Sequence, residues 1–286
     1  MRWKPAVLVT ALLVLGAAPS MALAKRAPAP SYYLSLGDSL AQGVQPNASG
    51  ASVETNQGYA DVLYAAEKTS NRHLKLAKYG CPGESTTSMI KGGPFCTARP
   101  YKGAQLAAAV KFIHKHKVVL ITLDIGANDI DGCVTNGALN ATCLTTGLNT
   151  IKLNVPTIVA ALRHAAGPKV KIAGMTYYDP FLSLYFGTPA QRALASASVG
   201  LAQGLNTTLA TDFRAKNVRV ADVATAFNTY TPFTKTTTLA GHGTVPVAVA
   251  QICRLTWICT PAPRGPNIHA KAGGYKKIAA TFLAKL

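Results

Sequence analysis

Five short runs rich in apolar and β-branched residues recur along the chain: Tyr32–Leu36, Leu74–Tyr79, Val118–Asp124, Val170–Thr176 and Val218–Val223. They lack the polar alternation of a strand with one wet face, so each reads as a strand buried on both sides. Helix-length stretches follow them at Gly58–Thr69, Ala104–Lys115, Leu144–Ala166, Pro189–Lys216 and Ala270–Leu286. Thr188 stands as an N-cap before Pro189 at the first helical position. Strand–helix alternation of this kind predicts an α/β fold, a three-layer α/β/α sandwich around a mostly parallel sheet. With no internal repeat, residues 31–286 read as one domain. Residues 224–265 break the rhythm, being rich in Thr, Pro and Gly, and read as a long loop near the site, pinned by a cysteine pair.

The start of the chain has a separate purpose. Met1-Arg2-Trp3-Lys4 precedes an apolar run from Pro5 to about Ala18 and the small residues Ala22-Leu23-Ala24. This is the pattern of a signal peptide over 1–24, with 25–30 as a flexible tail and a secreted, extracellular mature protein. An exported chain makes the six cysteines disulfide candidates. Six allow 15 pairings. Nearest-neighbour closure gives Cys81–Cys96, Cys133–Cys143 and Cys253–Cys259, and no pair has the close double spacing of a zinc site. The formal charge is +18, or +16 without Arg2 and Lys4. Such a surface suits an anionic envelope or lipid surface. The cations form no arm or basic helix, so no specific nucleic acid is expected.

The first run ends in Leu34-Ser35-Leu36-Gly37-Asp38-Ser39, which sets a serine at the carboxyl edge of the sheet, where open α/β folds bind ligands. Gly80-Cys81-Pro82-Gly83-Glu84 follows the second run and Asp124-Ile125-Gly126-Ala127-Asn128-Asp129 ends the third. Pro266-Asn267-Ile268-His269 precedes the last helix, before Gly273-Gly274-Tyr275. Each block alone is an ordinary turn sequence. Together, in this order, the chain resembles the SGNH hydrolases, also called GDSL esterases and lipases, over most of residues 31–286. It is similar to the secreted bacterial esterase/lipase type with three local disulfides.

The resemblance implies a flavodoxin-like, five-stranded parallel sheet in the order 2-1-3-4-5, and a set of roles. Ser39 would be the nucleophile and His269 the general base. The Ser39 and Gly83 backbone N–H groups and the Asn128 amide would form the oxyanion hole. Acyl transfer needs these parts: a nucleophile, a base for its proton, and donors aimed where negative charge develops. Asp38 and Asp129 read as loop-ordering residues. His242, between two glycines of the long loop, is the rival base. One departure stands out, because the family usually carries an aspartate two or three residues before the histidine, where this chain has Pro266 and Asn267. Candidates to orient the histidine are Asn267, Arg254 and Trp257: either a backbone carbonyl of Arg254–Cys259, near Trp257, orients His269 in a Ser-His dyad, or the site is impaired. Survival of serine, glycine, asparagine and histidine favours the dyad.

The expected function is therefore a serine ester hydrolase, esterase or lipase, acting on an ester or lipid substrate without cofactor or metal, as a monomer. Met89, Phe95, Tyr177, Tyr178 and Phe181 are candidates to meet an acyl chain. The alternatives are a carbohydrate deacetylase of the same family and a catalytically lapsed cationic envelope-binding protein. Poverty in acids, which sugar sites use, weighs against the former.

Overall fold

The structure is a computed structural model that describes residues 1–4, 29–94, 99–135 and 138–286. Most of the expected signal peptide and flexible tail, and Cys96 and Phe95, lie outside the described residues, and with Cys96 the Cys81–Cys96 pairing. Among the described residues no helix is long and apolar enough to cross a membrane.

The sheet contains β1 (Ser31–Gly37), β2 (Leu74–Lys78), β3 (Lys117–Asp124), β4 (Lys171–Met175) and β5 (Arg219–Ala221). All pairings are parallel and the order is β2-β1-β3-β4-β5. Seven-residue β1 is buried at every position but Tyr32, as the unbroken apolar reading requires. The helices are α1 (Tyr59–Ser70), α2 (Thr86–Lys91), α3 (Gln105–Lys115), α4 (Ala141–Ala166), α5 (Pro189–Ala215), α6 (Val223–Ala226), α7 (Val247–Leu255) and α8 (Ala272–Leu283). On one face α1 packs against α8; on the other α3, α4 and α5 pack in succession. Thr188 caps α5, its hydroxyl accepting the Gln191 N–H at 3.3 Å. Tyr33, Leu34, Leu36, Ile121 and Leu123 lie fully buried between the layers. Each such large side chain contributes about 1.5–3 kcal/mol relative to exposure.

Residues 224–265 are more than a loop. They hold an antiparallel hairpin, Thr236–Leu239 with Gly243–Pro246, and then α7. The Thr-, Gly- and Pro-rich composition conceals them, and Val247 and Val249 are poor helix formers. Packing reverses that preference, since Ala248, Val249, Ala250, Ile252 and Cys253 are all buried. The Cys253–Cys259 disulfide closes the end of α7, and Cys133–Cys143 ties the segment after β3 to α4.

Candidate active site

Gly37 is the last residue of β1 and pairs with Asp124, the last of β3. Its φ of +127° is glycine backbone, and a Cβ there would run into the Asp124 carbonyl. The chain then turns, and the Asp38 N–H donates to the Asp124 carbonyl at 3.1 Å. Asp38 is buried and holds the turn from inside. One carboxylate oxygen accepts the Leu40 N–H and the other the Tyr177 hydroxyl, both at 2.8 Å. Asp124 accepts from the Tyr59 hydroxyl and from the Asp38 and Ala41 N–H groups. Burial first, and the Asp38 charge second, push the Asp124 carboxyl well above its ordinary range. Two buried like charges this close oppose each other's ionisation. Gln105 completes the clamp: its amide accepts the Gly37 N–H at 2.7 Å and donates to the Gly37 carbonyl at 2.9 Å. Ser39, half-buried, emerges from this rigid base.

Gly83 lies exposed in the turn after β2 with φ +83°, and a Cβ would meet nothing. Beside it the Asn128 amide donates to the Glu84 carbonyl at 3.0 Å. That bond uses one of the two amide hydrogens and leaves the other. Neither the Ser39 nor the Gly83 N–H meets an acceptor among the described residues. Asp129 supports the same corner, accepting the Thr86 N–H at 2.8 Å and the Thr86 hydroxyl at 2.6 Å.

His269 arrives from the opposite direction. Its segment lies antiparallel to the residues after α7, where the Trp257 N–H donates to the His269 carbonyl at 3.0 Å and the Lys271 N–H to the Leu255 carbonyl at 2.8 Å. The Tyr178 hydroxyl donates to the Ile268 carbonyl at 2.8 Å. The Tyr275 hydroxyl, at the start of α8, reaches the Val44 carbonyl beyond Ser39 at 2.8 Å. The His269 ring is oriented by Asn267, whose Oδ1 lies 2.7 Å from Nδ1. The same Oδ1 accepts the His269 backbone N–H at 3.0 Å, and the Asn267 Nδ2 donates to Ser52 at 3.0 Å. A backbone N–H can only donate, so the amide oxygen faces the ring. Nδ1 therefore carries the proton and Nε2 is left basic. Burial pushes the imidazole down to about 4.

The other candidates for orienting His269 are placed elsewhere. The Trp257 carbonyl accepts from the Thr260 and Asn267 N–H groups, its indole N–H reaches Gln45 at 3.4 Å, and the Arg254 guanidinium donates to the Thr238 carbonyl. His242 is exposed and lies tilted against the Phe186 ring, 4.3 Å between centroids.

Ser39, Asn128 and His269 line one narrow cleft of about 80 Å³. Its walls are apolar, with Leu40, Ile130, Val134, Leu144, Leu201 and Leu205, together with Tyr177, Tyr178 and Phe181. Met89 is instead core. Three acids also line it, Asp38, Asp131 and Asp179. Burial pushes Asp131 up to about 7 and Asp179 to about 6, and Asp179 accepts the Ser198 hydroxyl at 2.6 Å. Sequence reasoning missed Asp131, Asp179, Gln105 and Tyr59, and it named Tyr177 for the acyl chain without its bond to Asp38. Asp124 stood in a quoted block without a role. No local pattern marks Gln105 or Asp179, because only folding brings them to the edge. Among the described residues no His, Cys, Asp and Glu cluster could hold a metal ion.

Residues 35–277 match the GDSL-like lipase/acylhydrolase family. Phospholipase A1 from Streptomyces albidoflavus is similar in structure, with a TM-score of 0.55 and 20% identity over 90% of this chain and 100% of that one. The extracellular lipase from Streptomyces rimosus gives a TM-score of 0.54 and 17% identity, again over 90% and 100%. At these identities the likeness is one of fold. No curated protein sequence matches.

Proposed function

Given that the chain belongs to the GDSL-like lipase/acylhydrolase family, we propose that it is a secreted serine ester hydrolase that cleaves acyl esters through an acyl-enzyme. The observation that carries this reading is the convergence of Ser39, Asn128 and His269 on one apolar cleft. His269 Nε2 takes the Ser39 hydroxyl proton as Oγ attacks the ester carbonyl. Negative charge on the carbonyl oxygen is met by the Ser39 and Gly83 N–H groups and the free Asn128 amide hydrogen. The imidazolium returns its proton to the leaving alkoxide, and a water then repeats the sequence to release the acid. Asn267 fills the place of the triad acid. It supplies the tautomer by geometry and only a dipole in place of a charge.

The narrow apolar walls suit an unbranched acyl chain, which favours a lipid or simple ester over a sugar ester. The two described disulfides fit an oxidising compartment. The test is hydrolysis of nitrophenyl esters with acyl chains from two to sixteen carbons by wild type and Ser39→Ala. Turnover lost in the variant supports the serine mechanism, and the chain-length profile separates esterase from lipase. A wild type inert at every length would overturn the reading in favour of a lapsed site.

A further inference from the structure

The amino edge of the sheet, opposite the cleft, carries a second arrangement. Each strand after β1 carries an exposed cation at its first or second residue: Lys75 second in β2, and Lys117, Lys171 and Arg219 first in β3, β4 and β5. Strands lie about 4.8 Å apart, so from β2 to β5 these cations span roughly 19 Å across the sheet, in a slanting row in which Lys171 is level with Leu120 of β3 and Arg219 with Ala173 of β4. The helices that run towards this edge also end on cations, Lys68, Lys115, Arg163 and Arg214 for α1, α3, α4 and α5. Basic last turns answer the helix dipole, but the four carbonyl ends supply only about −0.5 charge each. That is near −2 against eight cations, and the strand residues are not helix caps at all. On these elements the acids near the edge are Glu67 and Asp212.

The row contains a cavity of about 280 Å³ lined by Arg163, Lys169, Lys171 and Arg219, with no acid in its wall. The Arg163 guanidinium is held there by the Gly167, Val170 and Asn217 carbonyls at 3.0, 2.8 and 2.9 Å. Its Nε is buried without a partner, and burial followed by the Arg219 charge pushes its pKa down. Arg219 also donates to the Leu286 main-chain oxygen at 3.1 Å, and four cations are packed round a space whose wall holds no aspartate or glutamate.

We infer that this edge binds a linear, phosphate-bearing polyanion, with one phosphate seated between Arg163, Lys169, Lys171 and Arg219 and its neighbours along the strand-start row. A polymer fits better than a bilayer. The eight residues of β3 separate the two edges by about 26 Å, so lying on lipid by this edge would turn the cleft away from the acyl esters there. A polymer tether leaves the cleft open. Binding here and ester chemistry at the cleft are read by different assays, so either can fail without the other.

The test is binding of long-chain inorganic polyphosphate to the whole protein across a salt series. About four contacts, at roughly 0.7 per phosphate for a single strand, give a log K against log salt slope near −3. Lys169→Ala with Lys171→Ala should halve that slope and leave ester turnover unchanged. Neither side chain takes part in a described hydrogen bond, so the fold should survive. Arg264→Ala with Lys276→Ala, away from this edge, should leave the slope as it was. Equal losses in both double variants, or a slope near zero, would overturn the proposal. So would tighter binding to phosphatidylglycerol vesicles that the Lys169/Lys171 change weakens while polyphosphate is ignored.

Discussion

At the carboxyl edge of the sheet, six of the chain's eleven acids (Asp38, Glu84, Asp124, Asp129, Asp131 and Asp179) are buried or half-buried, with burial raising the pKa of each. At the amino edge four of the five strands carry an exposed cation at the first or second residue. The difference shows what each edge asks of a charge. A buried acid is held by several donors and fixes backbone geometry, as Asp38 and Asp124 fix the Ser39 turn. An exposed lysine fixes almost nothing locally and acts through the summed field. The catalytic edge should therefore respond sharply to single substitutions, and the cationic edge mainly to several together.

The largest effect should come from Ser39→Ala, which removes the nucleophile. Ester turnover should fall about ten-thousandfold or more, with the melting temperature unchanged. Next is Asn128→Ala, expected to cost about 100- to 1,000-fold in kcat with little change in KM. A loss confined to KM would show that the amide does not meet the oxyanion. Asn267→Asp sharpens the contrast by adding a charge where the chain now has a dipole. The carboxylate would favour the imidazolium and raise its pKa, so the acid limb of kcat/KM, set near pH 4 by His269, should move up by about 1–3 units. An unmoved limb would show that Asn267 does not act on the ring.

Asp131→Asn tests the burial of acid at this edge. The folded group holds its proton up to about pH 7, whereas an unfolded aspartate loses it near 4. Between those values the folded chain binds the extra proton, so its contribution to stability is full at low pH and is lost as pH rises towards 7. The asparagine variant should gain melting temperature over wild type at pH 8 and show little difference at pH 4. The smallest effect is expected at the other edge. Lys117→Ala alone should change stability by no more than about 0.5 kcal/mol and leave turnover unchanged; a greater loss would mean that the cation has a structural partner.

The alternation of five apolar runs with helix-length stretches was enough for the fold, because buried parallel strands must be apolar on both faces and their crossovers need helices. The Gly-Asp-Ser and Gly-x-Asn-Asp blocks were visible because both edges of the active turn are local in sequence. Residues 224–265 were not readable in the same way. Weak local preferences there are overruled by packing, and α7 forms because its apolar side chains find the core.

Sequence by itself determined which residues exist to do chemistry: a serine after a strand, a histidine before the last helix, and no acid beside it. It could not say what orients that histidine, since the choice among the carbonyls near Trp257 and the Asn267 amide is one of direction. Only the tertiary structure decided it. The backbone N–H of His269 can donate but not accept, so it turns the Asn267 oxygen inward, and the ring proton follows. Likewise the charge total was legible from composition, but its separation onto two edges required the parallel sheet, which carries every strand start to one side and every strand end to the other.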